Sequence, residues 1–369
     1  MGDVYVSISD QHYVSREDVL KRGGVAFRIA KKHNASLVIC PGDVIGRDRP
    51  QTLVENAMKD KRASRLEQLA QQPLAYFKVE EAVHEYRKQL SQKEGRVLSE
   101  KETLEKLVEM QPEAKGIAEE YLLMQEIIDE QYDALVDEVA GALNILYGSF
   151  DGDVVSVLGN HDPEVLVKKI NNTHWLPYDG PFKWKGHTIY GWANTYEGVR
   201  GIKSEKFPHY SDHKYGDMES KLKDSKFRER FLAQDENYQK GKSANADMFL
   251  FHKTVGQDKC PTHLAEGRKG DYDVAARALV DEAVEREKKK GKNGRLIHVY
   301  GGHIHDGGEI YYSVEDLNNY MASRTGPDHV FVWDINPSTN RVNEVIVYRL
   351  VPKQTEAKSA HEKQTKKVA

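Results

Sequence analysis

The chain has 369 residues, of which 39% are hydrophobic and 30% are charged, and its formal net charge is -4. This length allows one large domain or two smaller ones, and the small net charge gives the whole chain no attraction to nucleic acid or to an anionic membrane. No apolar run approaches the roughly 18 residues that cross a bilayer, and no signal-peptide pattern precedes the strand-like segment at Val4. Two cysteines, Cys40 and Cys260, are too few for a disulfide framework, so we expect a cytoplasmic protein that does not enter a membrane.

The chain opens with a predicted strand–helix–strand unit. Residues 4–8 and 37–40 are short apolar runs that predict buried strands. Between them, a helix is predicted to begin after Ser15, where Asp18 stands at capping-box spacing, and to end near Lys32. An acidic loop residue follows each strand, so this unit already brings carboxylates to the ends of two strands.

A long helical insertion is predicted at residues 51–147. Apolar residues recur there every three or four positions, and Gly95 and Pro112 interrupt the pattern, which indicates a helical hairpin with coiled-coil character. Its last helix is acidic, with no Lys or Arg between Gly116 and Asp153, which argues against nucleic acid lying along it. The hairpin is either packed on the domain, a surface for homodimerisation, or an arm that binds another protein.

The rest of the chain alternates between strand-like runs and polar segments. Residues 196–246 are polar and rich in His and Tyr, and we expect a lid-like insertion with a helix near 218–232. Residues 353–369 are rich in Lys, Glu and Gln without an apolar pattern, which predicts a disordered tail. Further strands are predicted at residues 154–158, 188–192, 248–252, 296–300, 309–313, 329–335 and 344–350.

Polar residues follow five of these predicted strands. The carboxyl ends of parallel strands meet at one edge of an open α/β sheet, so these side chains are expected to converge. Carboxylate, imidazole and amide oxygen together suit Mn(II), Fe or Zn(II), and the set is large enough for two ions about 3.5–4 Å apart that would clamp the oxygens of a phosphoryl displacement. The residues are Asp10, His12, Asp43, Asn160, His161, Asp162, His252, His303 and His305.

This set resembles the signature motifs of the calcineurin-like metallophosphoesterase superfamily: Asp10-x-His12, Gly42-Asp43, Gly159-Asn160-His161-Asp162, His252 and Gly302-His303-x-His305. The resemblance extends over most of the chain, from Asp10 to His305. It implies an α/β (α+β) fold, a four-layer α/β/β/α sandwich of two sheets. The catalytic domain would consist of residues 1–50 and 148–352, with residues 51–147 as an insertion.

The resemblance also implies a centre of two divalent metal ions, manganese first, with iron or zinc as alternatives. His161 would face the substrate and protonate the leaving oxygen or stabilise charge, and Asp162 would orient the imidazole of His161. A metal-bound hydroxide would be the nucleophile. The metal ligands would be Asp10, His12 and His305 for one ion, Asn160, His252 and His303 for the other, and Asp43 as a bridge between them.

The sequence therefore predicts an enzyme, a metal-dependent phosphoesterase that hydrolyses a phosphomonoester or a phosphodiester. One alternative is a DNA or RNA nuclease resembling the double-strand-break repair branch of the superfamily. Another is a non-catalytic scaffold with the same fold, like the retromer subunit, which the intact set of ligands disfavours. The sequence does not predict the substrate, the native metal pair or the oligomeric state. The motifs and the long coiled-coil-like element fit the nuclease alternative loosely, and the acidic last hairpin helix and the net charge weigh against it. A modest basic patch favours it, formed by Lys203, Lys206, Lys221, Lys223, Lys226, Arg228 and Arg230.

Overall fold

The computed structural model divides the chain into two compact units. One consists of Met1–Gly46 with Glu138–Ala369, and the other of Arg47–Asp137. The residues that the structure describes are 2–45, 50–63, 73–96, 98–159, 161–193, 225–253, 274–291, 294–302, 320–324, 329–350 and 363–367.

The described strands form two sheets. In chain order the strands are β1 (Asp3–Ser7), β2 (Leu37–Cys40), β3 (Asp153–Val157), β4 (His174–Leu176), β5 (Phe182–Trp184), β6 (His187–Trp192), β7 (Met248–Lys253), β8 (Ile297–Gly302), β9 (Tyr320–Arg324), β10 (His329–Ile335), β11 (Val342–Arg349) and β12 (Lys363–Lys367). The first sheet has the order β12-β11-β10-β1-β2-β3-β4, and the second has the order β5-β6-β7-β8-β9. Strands β1 to β4 pair in parallel, as do β6 to β9, while β5, β10, β11 and β12 pair antiparallel. The fold is therefore mixed α/β with two mixed sheets, as predicted at this level.

Ten α-helices lie between these strands in the described part of the chain. In chain order they are α1 (Arg16–Asp18), α2 (Gly24–Lys32), α3 (Pro50–Ala57), α4 (Pro73–Glu94), α5 (Glu100–Met110), α6 (Lys115–Gly148), α7 (Leu166–Lys169), α8 (Ser225–Gln234), α9 (Glu236–Ala244) and α10 (Val274–Lys288). A π-helical segment, Val19–Gly23, joins α1 to α2. The predicted cap is confirmed, since the hydroxyl of Ser15 accepts a hydrogen bond from the amide of Asp18 at 3.2 Å. None of the described helices is both long and apolar enough to cross a membrane.

One buried cluster takes its side chains from both sheets. The central parallel strands β2 and β3 are rich in Val, Ile and Leu. All of β2 is buried, and so is β3 after its exposed first residue, which is typical of parallel strands covered on both faces. The ring centroids of Tyr5 on β1 and Trp184 on β5 lie 5.6 Å apart, edge to face. The two sheets therefore share a core, to which Leu37, Ile39, Val155, Val157, Phe331 and Trp333 contribute from the first sheet and Ile189, Met248, Leu250 and Tyr300 from the second.

Helices α8, α9 and α10 cover the opposite face of the second sheet. Successive side chains of a strand point to opposite faces, so Phe249 and Val299 face away from the core that both sheets share. They lie in a second buried cluster with Phe231 of α8, Tyr238 of α9 and Leu279 of α10. These contacts anchor the three helices to the strands.

This packing changes the interpretation of residues 196–246. The sequence predicts a lid-like insertion there, with a helix near 218–232. The described part, α8 and α9, instead belongs to the packed domain, because burying the two aromatic rings stabilises it by roughly 1.5–3 kcal/mol each. Residues 194–224 lie outside the described residues.

Helix α2 packs beside the end of α6 and against the first sheet. The ring of Phe27 lies 5.4 Å from that of Tyr147, centroid to centroid. Past the end of α2, the imidazole of His33 shares a hydrogen bond with the hydroxyl of Tyr348 on β11 at 2.7 Å. Ala26, Ile29 and Ala30 on the apolar side of the predicted first helix are buried, whereas Leu20 is exposed.

In its described residues, the second unit contains α3, α4, α5 and the first part of α6, which is more than a simple hairpin. Gly95 adopts a φ of 69° where α4 ends, and Ser99 and Glu102 form a reciprocal capping box where α5 begins. These two signals interrupt the predicted hairpin, so the chain forms a separate helix, α5, after α4 and before α6. The shared core of this unit contains Val54, Ala57, Tyr76, Val83, Leu104, Ala118, Tyr121, Met124 and Ile127.

The described part of the tail forms a strand. Residues Lys363–Lys367 are β12, which pairs antiparallel with β11 in a register that sets Lys366 opposite Val345. The prediction of disorder for residues 353–369 therefore does not hold for this segment. An edge strand presents unpaired amide and carbonyl groups, and these can pair with a segment of any composition. Strand prediction from the sequence uses an apolar pattern, which this segment lacks.

Candidate metal centre

The candidate site lies where strands of both sheets end. Strands β1, β2 and β3 are parallel neighbours, and the loops that follow them carry Asp10 and His12, Asp43, and His161. From the second sheet, β7 contributes His252 near its carboxyl end. This is the position at which open α/β sheets bind ligands.

The backbone is strained at three predicted ligands. Asp10, His12 and Asp43 have φ values of 51°, 45° and 52°, in the left-handed region. This conformation costs about 1 to 2 kcal/mol for a residue with a side chain, and Asp and His tolerate it better than most. Amides of the first loop donate to carbonyls of the second, from Asp10 to Gly42 at 3.1 Å, from His12 to Asp43 at 3.0 Å and from Tyr13 to Val44 at 2.9 Å. The two loops therefore hold each other in this conformation.

Three predicted ligands form a compact group. Asp10, His12 and Asp43 each offer one ligand atom, and these atoms all lie within 4.8 Å of one another. Both carboxylates are buried, and His12 is half-buried. Oδ2 of Asp43 lies 3.9 Å from Nε2 of His12 and 3.1 Å from Nε2 of His252. The carboxylate of Asp43 is thus shared between two imidazoles from different sheets.

The orientation of His252 requires a proton or a metal ion between its ring and the carboxylate of Asp43. Its Nδ1 lies 2.8 Å from the carbonyl oxygen of Pro41, which can only accept, so Nδ1 is the donor. In the neutral ring, the lone pair of Nε2 then faces Oδ2 of Asp43, and two acceptors stand 3.1 Å apart. A proton or a metal ion resolves this contact. Ligand bonds of about 2.1 Å at right angles place two donor atoms about 3 Å apart, so the spacing fits two ligands of one ion.

The pKa values of the pair match this arrangement. Burial alone lowers the pKa of His252, but the charges of Asp43 and Asp10 outweigh burial and raise it to about 9. Burial raises the pKa of Asp43, and the attraction of His252 outweighs it and brings the pKa below the usual range of a carboxyl. The pocket therefore favours an anionic Asp43 with positive charge beside it.

Asp162 holds two loops together. Its carboxylate oxygens accept hydrogen bonds from the amides of Gly159 at 2.8 Å and Ile45 at 2.9 Å. Burial, and then the charge of Asp43, raise the pKa of Asp162 to about 7. The sequence predicts that this carboxylate orients the imidazole of His161, but its described hydrogen bonds go to main-chain amides. It therefore joins the loop after β3 to the loop after β2.

His161 is placed beside the predicted ligands by its main chain. Its amide donates to Oδ1 of Asp43 at 2.9 Å, and its half-buried ring lies 5.3 Å from that of His12, centroid to centroid. Asp43 thus contacts His252 through one oxygen and fixes the backbone of His161 through the other. The role of His161 in proton transfer stays a prediction.

The end of β8 also reaches this site. A Cβ added at Gly302 would lie 2.3 Å from Oδ2 of Asp10 and 2.0 Å from the hydroxyl of Ser9, so only glycine fits. His303 follows directly in the chain. Asn160, His303 and His305 themselves lie outside the described residues.

Two groups at the site have no sequence signal of their own. The hydroxyl of Ser9 donates to Oδ2 of Asp10 at 2.6 Å, and the carbonyl of Pro41 fixes the ring of His252. A serine next to an acidic residue is common, and a carbonyl belongs to every residue. Only the fold reveals that these groups support the ligands, as hydrogen-bonding partners of metal ligands usually do.

No protein-family model matches the chain, and no curated protein sequence matches it. The geometry of the site is therefore the basis on which a function can be proposed.

Proposed function

We propose that the protein is a metal-dependent phosphoesterase of the calcineurin-like type, with a dinuclear centre on a four-layer α/β/β/α sandwich. One observation carries the proposal: the buried carboxylate of Asp43 lies between His12 and His252, within reach of Asp10. The shared core of the two sheets, and the helices outside the second sheet, support the layered arrangement.

The donor set fits divalent transition metals. Two carboxylates and two imidazoles converge, and this mixture suits Mn(II), Fe or Zn(II). Asp10 and His12 would hold one ion and His252 the other, with Asp43 as the bridge. Asn160, His303 and His305 would complete the two sets. Bound ions would supply an activated water and positive charge for the oxygens of the phosphoester.

The residues of the chain supply the remaining functions. His161, anchored through its amide to Asp43, would hold a proton on its imidazole and donate it to the leaving oxygen. Asp162 would keep His161 near the ligands by joining the two loops. The buried Asp43–His252 pair would exclude water from one side of the site.

The test is hydrolysis by the full-length protein after chelation and reloading with Mn(II). Substrates would be p-nitrophenyl phosphate, bis-p-nitrophenyl phosphate and single-stranded DNA, which separate the phosphomonoester, phosphodiester and nuclease alternatives. Asp43→Asn should lose at least about a hundredfold in rate, because even residues that only support metal ligands cost 10–100-fold. Asp151→Asn, an exposed carboxylate, is the matched control. Full activity in Asp43→Asn, or the absence of Mn(II)-dependent hydrolysis on every substrate, would contradict the proposal.

A further inference from the structure

The loop that carries Asp10 and His12 is contacted by an arginine from outside the site. Nη2 of Arg22 donates to the carbonyl of Gln11 at 2.7 Å and to that of His12 at 3.4 Å. The amides of the same loop are already bonded to the loop after β2. Arg22 therefore holds the carbonyl side of a segment whose amide side is held by the neighbouring loop.

The guanidinium is itself held in place. Asp18 accepts from Nε of Arg22 through Oδ1 and from Nη2 through Oδ2, each at 2.5 Å. Oδ2 of Asp18 also accepts from the amide of Val14 at 3.3 Å. The guanidinium carbon lies 5.3 Å from the centroid of the Tyr13 ring. Arg22 is thus fixed by a two-point ion pair and an aromatic face, which a flexible ammonium group does not reproduce.

The position of Arg22 in its helix is unusual. It lies in the π-helical segment Val19–Gly23, between α1 and α2. Single π turns inside helices are rare, and those that occur are often found at functional sites. Arg22 of this segment contacts the loop after β1, while α2, which follows in the chain, packs beside the end of α6.

The hydrogen bonds of Arg22 stabilise an unfavourable backbone conformation. Asp10 and His12 both adopt positive φ, a conformation that persists only where the surroundings enforce it. A hydrogen bond from a charged group is about twice as strong as one between neutral groups, so the contacts of Arg22 oppose relaxation of this conformation. Loss of the Arg22 contacts would let the loop relax and move both ligands.

We infer that Arg22 is a positioning residue for the candidate metal centre, which holds Asp10 and His12 in their ligand positions through the carbonyls of Gln11 and His12. The metal part of this inference rests on the proposed function. The restraint on the loop does not, so the two can fail separately.

The experiment compares Arg22→Met and Arg22→Lys with Arg28→Met. Arg28 is an exposed arginine of α2, so its variant makes the same change of charge away from the loop. Two quantities are measured on the full chain: the Kd of Mn(II) by calorimetry, and the exchange rates of the His12 and Tyr13 amides in metal-free protein by NMR. Circular dichroism reports whether each variant is folded.

We expect Arg22→Met to bind Mn(II) 10–100-fold more weakly and its two amides to exchange at least about tenfold faster. Arg22→Lys should fall between it and the wild type, and Arg28→Met should match the wild type. If Arg22→Met does not fold, the same comparison is made with Arg22→Lys.

Unchanged amide exchange in the Arg22 variants overturns the inference, and so does faster exchange with unchanged Mn(II) affinity. If the wild type binds no Mn(II), the proposed function fails. The exchange rates then decide whether Arg22 restrains the loop.

Discussion

Nε2 of His252, on β7 of the second sheet, lies 3.1 Å from Oδ2 of Asp43, which follows β2 of the first sheet. Both side chains are buried. A pair of this kind forms only if the carboxyl ends of the parallel strands in the two sheets meet. The Asp43–His252 contact therefore ties the candidate site to the arrangement of the whole fold, and substitutions at the strand ends should affect it.

Gly302→Ala should weaken Mn(II) binding, because the new methyl group would collide with the carboxylate of Asp10 and with Ser9. Overpacking of this kind typically costs about 1–3 kcal/mol, which corresponds to roughly a tenfold to hundredfold change in affinity if it falls on the bound state. Calorimetric titration with Mn(II) measures it. Gly141→Ala, on an open helix surface, is the control and should bind normally. Equal affinities in both variants would show that β8 does not end at the site.

Asp162→Ala should reduce the free energy of unfolding by roughly 2 to 6 kcal/mol. The substitution leaves the buried amides of Gly159 and Ile45 without their acceptor, at about 1–3 kcal/mol each. Asp162→Asn retains one acceptor and should lose about half as much. Urea denaturation of the metal-free protein measures both. Activity lost at unchanged stability would instead support the predicted role of Asp162 in orienting His161.

His298 should make the protein less stable in mild acid. Burial lowers its pKa from 6.5 to about 4, while its ring is bonded to the carbonyl of Asn340 and to the hydroxyls of Tyr5 and Tyr300. The charge of Asp247 raises this pKa and that of His187 lowers it, and neither outweighs burial. Below pH 6.5, His298 binds a proton in the unfolded chain but stays neutral in the folded chain. Stability is therefore lost as the pH falls from about 6.5 to about 4.

The expected loss from this group is roughly 2 kcal/mol between pH 7 and pH 5, at 1.36 kcal/mol per pKa unit. Urea unfolding of the wild type and of His298→Gln at both pH values isolates it. The variant should start from lower stability and decline less. An equal decline in both proteins would mean that His298 does not remain neutral in the fold.

Much of the fold follows from local patterns in the sequence. The apolar runs at 4–8, 37–40 and 154–158 predict the strands β1, β2 and β3, because buried parallel strands need continuous β-branched and aliphatic residues. The strand β12, the helix α9 and the burial of α8, whose helix near 218–232 is predicted, do not follow from such patterns. Their formation depends on an open sheet edge and on an uncovered sheet face, which are properties of the assembled domain.

The candidate site divides in the same way. Asp10, His12, Asp43 and His252 were predicted as ligands from residue type and strand-end position, and the structure brings them together. The bonds of Asp162 to main-chain amides and the contacts of Arg22 with main-chain carbonyls were not predicted. Partners of this kind depend on backbone geometry, and no pattern of side chains encodes them.

The most direct test of a dinuclear centre is the metal content of the protein. Wild-type protein and Asp43→Asn are loaded with Mn(II), desalted and measured by inductively coupled plasma mass spectrometry. A dinuclear centre predicts about two ions per wild-type chain, as in paired-ion phosphoesterase sites, and a clear loss in the variant that removes the bridge. A wild-type chain that retains no metal, or a variant that retains as much as the wild type, would contradict it.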